Sequence, residues 1–196
     1  MLKRAFDIVV SFLGLVLLSP LLLFIAILVI VDSKGGIFFI QQRVGMNGDL
    51  FNLIKFRTMA INSEKGSSLT IGGKDSRITR VGYYLRKFKI DELPQLFNVL
   101  KGDMSIVGPR PELQKYVNMY NESQMEVLKI RPGITDLASI KYRNESELLF
   151  ASSNPEEFYV SKLMPEKLKL NKEYMANSSF LGDMRIIFKT FIAIFK

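Results

Sequence analysis

Two adjacent carboxylates, Asp91 and Glu92, stand between cations on both flanks: Arg86 and Lys87 just before them, and Arg110 after them, between Pro109 and Pro111. The stretch reads RKFKIDELPQLFNVLKGDMSIVGPRP. Leu93, Leu96, Phe97 and Leu100 fall at i, i+3, i+4 and i+7, which predicts a short helix. Asp91 is placed to be its N-cap, Pro94 falls in its first turn, and Gly102 is placed to stop it. The acids would then lie at the positive end of the helix dipole, where free N–H groups favour a phosphate. An ordinary capped helix with surface charges accounts for the spacing equally well. Against it stand the cations converging from both flanks and a GPRP turn that holds the Arg110 fork with little backbone entropy to lose.

Composition limits the chemistry. The 196 residues include no Cys and no His, which removes thiolate nucleophiles, Cys-ligated zinc, the commonest general base and the commonest metal ligand. Carboxylates, hydroxyls, Lys, Arg and Tyr remain, and a metal would be a hard cation held by oxygen, such as Mg²⁺. The net charge of +8 calls for a polyanionic neighbour: nucleic acid, anionic lipid or a phosphorylated substrate.

The elements that must carry these residues begin with an apolar run. Residues 8–31, IVVSFLGLVLLSPLLLFIAILVIV, hold no charge, and such a length suffices to cross a bilayer. Ser19-Pro20 at its centre predicts a kink or break. With Lys3-Arg4 before the run and a basic domain after it, both ends favour the cytoplasmic face. A helix-break-helix that enters and leaves by one face satisfies both features; a single kinked spanning helix is the alternative. Beyond Gly35-Gly36, residues 37–42 and 50–59 read as a β-hairpin around Gly45–Gly48. Lys55 and Arg57 alternate with Phe56, which predicts one strand face for both cations, either solvated or in contact with a phosphate or headgroup. Residues 62–77 read as a polar loop and 81–89 as a basic, aromatic helix. Pro111 suits the first turn of a helix, 138–142 a short strand with Arg143 after it, and 145–172 helix broken at Pro155 and Pro165. Residues 180–196 read as an amphipathic helix that either lies at a membrane interface or packs on the domain.

The run KIDELPQLFNVLKGDMSIVGPRPEL resembles the signature of the bacterial sugar transferases that start glycan assembly on a polyprenyl carrier, the monotopic phosphoglycosyl transferases. The resemblance extends from KRAFD at Lys3–Asp7 through KFRTM and RPGIT to SFLGDMRIIF, nearly the whole chain. It implies an α+β fold: a re-entrant membrane anchor over 1–33, bent at Ser19 and Pro20, then a mainly helical cytosolic catalytic domain over 34–196 with a small antiparallel hairpin. It implies that Asp91 attacks the β-phosphate of a UDP-sugar, releasing UMP, and that a polyprenyl phosphate then takes the phosphosugar. Glu92 would hold Mg²⁺, while Arg86, Arg110, Arg143, Lys55 and Arg57 bind phosphate. The implied partners are inner-membrane lipid and a second copy of the chain in a homodimer, with no nucleic acid, at the cytoplasmic face of the bacterial inner membrane. A membrane-anchored basic module that binds lipid or nucleic acid without catalysis explains the charge and the anchor, but not DELPQ or GPRP. Two positions depart from the family pattern: Asp136 replaces a usual Gly after RPGIT, and Asn171 stands where Asp is common.

Overall fold

The computed structural model describes residues 2–61, 69, 71–72 and 75–194. It opens with one helix, α1 (Leu2–Asp32), which runs through Pro20. The expected division into two helices at Ser19-Pro20 does not occur. Proline lacks the amide that would bond to the Val16 carbonyl, four residues back. The Ser19 hydroxyl donates to that same carbonyl at 2.8 Å, so the orphaned acceptor is satisfied without breaking the helix.

Helix α1 buries one stripe, with Asp7, Ser11, Ile25, Ala26 and Val29 turned inward. Much of the remainder is apolar and exposed, Leu17 and Val31 at 80% each. The first turn is tied down by its charges. Lys3 pairs with Asp183, Arg4 donates to the carbonyls of Val99 and Leu100, and Asp7 accepts from the Ile106 amide at 3.1 Å. Near the other end Ile25, Ala26 and Val29 pack on Phe56 and Leu85, and Asp32 accepts from the Val81 amide. Both ends of α1 are therefore bound to the same domain.

The expected hairpin is present. Strands β1 (Phe38–Val44) and β2 (Leu50–Phe56) pair antiparallel around a turn over Met46–Gly48. Helix α2 (Arg80–Lys87) follows, capped by the Thr79 hydroxyl, and then α3 (Gln95–Lys101), stopped by Gly102 in left-handed backbone (φ 106°). Asp91 does not cap α3. It sits one turn earlier, in a 3-10 turn over Ile90–Glu92, and Pro94 takes the cap position. The inward face of α3 also differs from the apolar spacing: Gln95, Leu96, Asn98 and Val99 are buried, while Phe97 is 48% exposed. Asn98 earns that place by bridging the hairpin, accepting from the Ile54 amide and donating to the Asn52 carbonyl.

A two-stranded parallel sheet joins distant motifs. Strand β3 (Ser105–Val107) pairs with β4 (Gly133–Thr135). Immediately beyond it, Gly108 and Gly133 approach so closely that a Cβ on Gly133 would lie 2.1 Å from the Gly108 nitrogen. The glycines of GPRP and RPGIT are thus the two halves of one backbone crossing.

The remainder is helical: α4 (Gln114–Val117), α5 (Glu122–Met125), α6 (Leu137–Lys141), α7 (Glu145–Phe150), α8 (Pro155–Phe158), α9 (Met164–Ala176) and α10 (Phe180–Ile194). The strand expected at 138–142 is helix α6, because Asp136 N-caps it from extended backbone (φ −155°) rather than adopting a left-handed turn. Pro111 opens no helix; α4 begins at Gln114. Pro165 does not interrupt the chain's helical course, since it lies in the first turn of α9, directly after a π-turn over Tyr159–Leu163. Buried Tyr116, Val127, Leu149, Tyr159, Leu163, Met164 and Leu168 form the main core. Helix α10 buries Asp183 and Ile186 and exposes Leu181, Phe188 and Phe191.

Candidate active site

The 3-10 turn that carries the acids is entered through Lys89 in left-handed backbone (φ 58°). At three residues per turn, successive side chains diverge by about 120°. The two carboxylates consequently meet different surroundings, although both are buried.

Both oxygens of Glu92 are held. Arg110 grips it with both arms of its fork, Nη1 donating to Oε2 at 3.0 Å and Nη2 to Oε1. Lys55 places Nζ 3.6 Å from Oε1. Burial by itself would raise the pKa of this carboxyl, but the Arg110 charge and then Lys55 outweigh burial and hold it well below the usual range. Arg110 is correspondingly held as the cation. Burial lowers Lys55 to about 8, against the pull of Glu92.

Asp91 is the opposite case. Its Oδ1 is buried and accepts no hydrogen bond among the described residues. Burial, and then the Glu92 charge, push its pKa up, while Lys55, Arg86 and Lys89 pull against them. Arg86 donates Nε to the Thr58 hydroxyl at 3.0 Å, and the charge of Asp91 acts on it.

The fold brings Arg110 to this place by a residue that spacing did not single out for it. The Arg110 amide donates to Asp136 Oδ2 at 3.0 Å, and the same carboxylate caps α6. Asp136 is 1% exposed. The departure from the family's glycine therefore pins the GPRP turn against the turn after β4.

Of the expected site residues, Asp91, Glu92, Lys55 and Arg110 converge, with Arg86 beside them. Two others are engaged elsewhere. Strand β2 ends at Phe56, so the alternation that put Lys55 and Arg57 on one face stops before Arg57. Arg57 instead donates to the Ser33 carbonyl and hydroxyl, fixing the exit from α1. Arg143 donates to the Ile194 carbonyl in the last turn of α10. Ser19 and Pro20 lie on the exposed side of α1. Sequence spacing also passed over Arg43, whose Nη1 donates to Glu112 at 3.3 Å, close enough to Arg110 for their charges to interact. Its position on β1, next to Val44, was the available signal.

A family model described as bacterial sugar transferase matches residues 1–196. The chain belongs to the bacterial sugar transferase family. Among relatives of this chain is the UDP-N-acetylgalactosamine-undecaprenyl-phosphate N-acetylgalactosaminephosphotransferase of Aeromonas hydrophila, 37% identical over 96% of this chain and 42% of the relative. The exopolysaccharide production protein ExoY of Sinorhizobium fredii is 35% identical over 98% of this chain and 84% of the relative. The UDP-glucose:undecaprenyl-phosphate glucose-1-phosphate transferase of Klebsiella pneumoniae is 38% identical over 96% of this chain and 39% of the relative. The sugar transferase chain thus spans less than half the length of two of these relatives and most of the third.

Proposed function

We propose that the chain transfers a sugar-1-phosphate from a UDP-sugar to a membrane polyprenyl phosphate, with Asp91 as the covalent nucleophile. The observation that carries this reading is the division of labour within the acid pair. Glu92 has both oxygens held by Arg110, whereas Asp91 keeps a buried oxygen with no partner among the described residues. A carboxylate oxygen left without a hydrogen bond beside fixed cations is suited to attack at phosphorus.

In the first step an Asp91 oxygen bonds to the β-phosphorus of the UDP-sugar. The bond from that phosphorus to the bridging oxygen breaks, and UMP leaves with the electron pair. In the second step an oxygen of the polyprenyl phosphate bonds to the same phosphorus, the Asp91 carboxylate is released, and polyprenyl-diphosphate-sugar forms. Arg110, Lys55 and Arg86 neutralise the phosphate charge that both steps gather.

The donor set suits a hard divalent cation. A carboxylate offers about four lone-pair positions; the Arg110 hydrogen bonds take two on Glu92, Lys55 Nζ stands further off at 3.6 Å, and Asp91 Oδ1 is buried with no partner among the described residues. Mg²⁺ would be held by Asp91 and Glu92 together with substrate phosphate oxygens, since no cluster of three acidic side chains forms among the described residues. Bound there, it would supply further charge neutralisation.

Helix α1 is long and apolar enough to cross a membrane. A straight crossing would move Lys3, Arg4 and Asp7 to the opposite face, about 46 Å away at 1.5 Å per residue, and would lose their bonds to Asp183, Val99, Leu100 and Ile106. Tethering at both ends supports an anchor whose two ends lie on the domain's side of the membrane, and the basic residues on both flanks of the apolar run favour the cytoplasmic side. Within lipid, where no water can satisfy a carbonyl, the Ser19 bond keeps the Val16 carbonyl satisfied where Pro20 offers no amide. Such an anchor holds the acid pair at the depth of a lipid phosphate.

The test is a panel of UDP-sugars offered to detergent-solubilised protein with Mg²⁺ and undecaprenyl phosphate. UMP release with at least one donor is expected. No release from any donor in active-temperature, folded preparations would sink the proposal.

A further inference from the structure

Arg110 is held by more than Asp136 and Glu92. The chain just beyond it runs beside the end of β1, where the Val44 amide donates to the Glu112 carbonyl at 2.9 Å. Arg43 reinforces this seam. Its Nη1 donates to the Pro111 carbonyl at 3.2 Å and to Glu112 Oε1 at 3.3 Å, while Nε and Nη2 donate to Gln41 Oε1 at 3.1 and 2.7 Å. All three nitrogens of the guanidinium are thus engaged by acceptors of the chain. The carboxylate it meets is fixed as well. Glu112 Oε1 also accepts from the Leu113 amide at 2.8 Å, and Oε2 accepts from the Tyr159 hydroxyl.

Arg43 shares a strand face with Gln41, and because Phe39 pairs with Lys55, that face also carries Lys55. The hairpin therefore sets the places of two cations. It presents Lys55 directly, and through Arg43 it holds the first carbonyl after Arg110. Those two cations meet on one atom, Glu92 Oε1, which Arg110 Nη2 bonds and Lys55 approaches at 3.6 Å. The side chains of Arg43 and Glu112 are each only 16% exposed. So buried an ion pair adds little net stability over apolar packing, whereas a planar fork with several acceptors fixes orientation. The seam is better suited to set geometry than to hold the fold together.

The geometry points to Arg43 as a positioning residue for the transfer: its fork locks the turn after Arg110 to the hairpin, so that Arg110 and Lys55 converge on Glu92. The inference rests on the sugar-phosphate transfer proposed above. The bonds of Arg43 go to Gln41, Pro111 and Glu112 and to neither acid of the pair, so it acts through Arg110.

The experiment is a double-mutant cycle on kcat/KM for UMP release, with Arg43→Met, Arg110→Lys and the two combined. Arg110→Lys keeps a charge and gives up the two-armed grip whose direction Arg43 sets. We expect Arg43→Met to lower kcat/KM by about 10- to 100-fold, as for a misplacement of roughly 1 Å, and by less than about twofold in the Arg110→Lys background. Loss of folded protein lowers both arms alike and cannot produce that difference. Arg43→Met leaves Glu112 without its counter-charge, so where it does not fold, every member of the cycle carries Glu112→Gln, which removes the stranded charge and keeps an acceptor. Equal losses in the two backgrounds show that Arg43 acts apart from Arg110 and overturn the assignment, as does an undiminished kcat/KM in Arg43→Met. Should Arg110→Lys have no turnover, hydrogen exchange over residues 108–113 gives the answer: faster exchange in Arg43→Met is expected, and an unchanged rate overturns the assignment. Absence of UMP release by wild type overturns the transfer reaction, and positioning for it falls as well.

Discussion

The backbone amide of Arg110 donates to Asp136 Oδ2 at 3.0 Å, and this bond ties the guanidinium that grips Glu92 to the cap of a helix from another part of the chain. Removing the carboxylate leaves two part-buried amides, those of Arg110 and Ser139, without their acceptor. Asp136→Ala is expected to destabilise the fold by about 1–3 kcal/mol. Turnover should fall with it, since Arg110 loses its anchor. Denaturant unfolding with an unchanged midpoint would show that Asp136 holds nothing.

The two acids should act on stability with opposite signs. Asp91 holds its proton more tightly in the folded chain than in the unfolded one, so above the ordinary carboxylate range its charge opposes folding. Asp91→Asn is therefore expected to raise the unfolding midpoint at neutral pH while abolishing turnover, and the gain should vanish in acid, where the wild-type carboxyl is already neutral. Glu92 is held below its ordinary value and contributes stability that is present above that value and lost as pH falls. Glu92→Gln leaves Arg110 without its counter-charge and is expected to cost about 3–5 kcal/mol. Equal and same-signed shifts in thermal melts of the two variants would contradict this division.

Lys55 sets an alkaline limit. Burial brings its pKa to about 8, so its proton leaves just above neutrality and takes with it a charge that faces Glu92 and the incoming phosphate. The rate of UMP release should decline above about pH 8. Lys55→Arg keeps the charge throughout this range and should carry the decline to higher pH. A pH profile with the same alkaline limb in both proteins would assign that limb to another group.

The anchor makes a prediction about topology. Because Lys3, Arg4 and Asp7 are bonded to the domain, residue 2 should stay on the domain's side of the membrane. The chain has no cysteine, so Leu2→Cys gives a single label. No reaction with a membrane-impermeant thiol reagent is expected in intact cells. Ser19→Ala with Pro20→Leu restores the missing amide and removes the hydroxyl that bonds Val16, and part of that population should become labelled. Labelling of the otherwise wild-type chain from outside would make α1 a spanning helix.

Much of this organisation was legible in the sequence because it is local. The hairpin, the stop at Gly102 and the cation-flanked acid pair follow from alternation, turn residues and spacing within a few positions. The errors arose where a distant group decides. Asp136 reads as an isolated polar residue until the pairing of β3 with β4 brings Arg110 to it. Asn98 falls off the apolar face that spacing marks, and it is buried because the hairpin edge supplies its partners. Arg57 looks equivalent to Lys55, yet strand β2 ends between them, and the exit of α1 claims it. Pro20 predicts a break, yet one hydroxyl replaces the missing bond.

The central claim is that Asp91, whose Oδ1 has no partner among the described residues while Arg110 holds Glu92, becomes bonded to phosphorus. The most direct measurement is the intact mass of the protein after exposure to a UDP-sugar and Mg²⁺ with no lipid acceptor, followed by peptide mapping after stabilisation of the acyl phosphate. A gain equal to one phosphosugar, located at Asp91, absent in Asp91→Asn and discharged by undecaprenyl phosphate, is the predicted result. UMP release that requires the lipid, with no mass gain under any donor, would mean direct transfer and contradict the account.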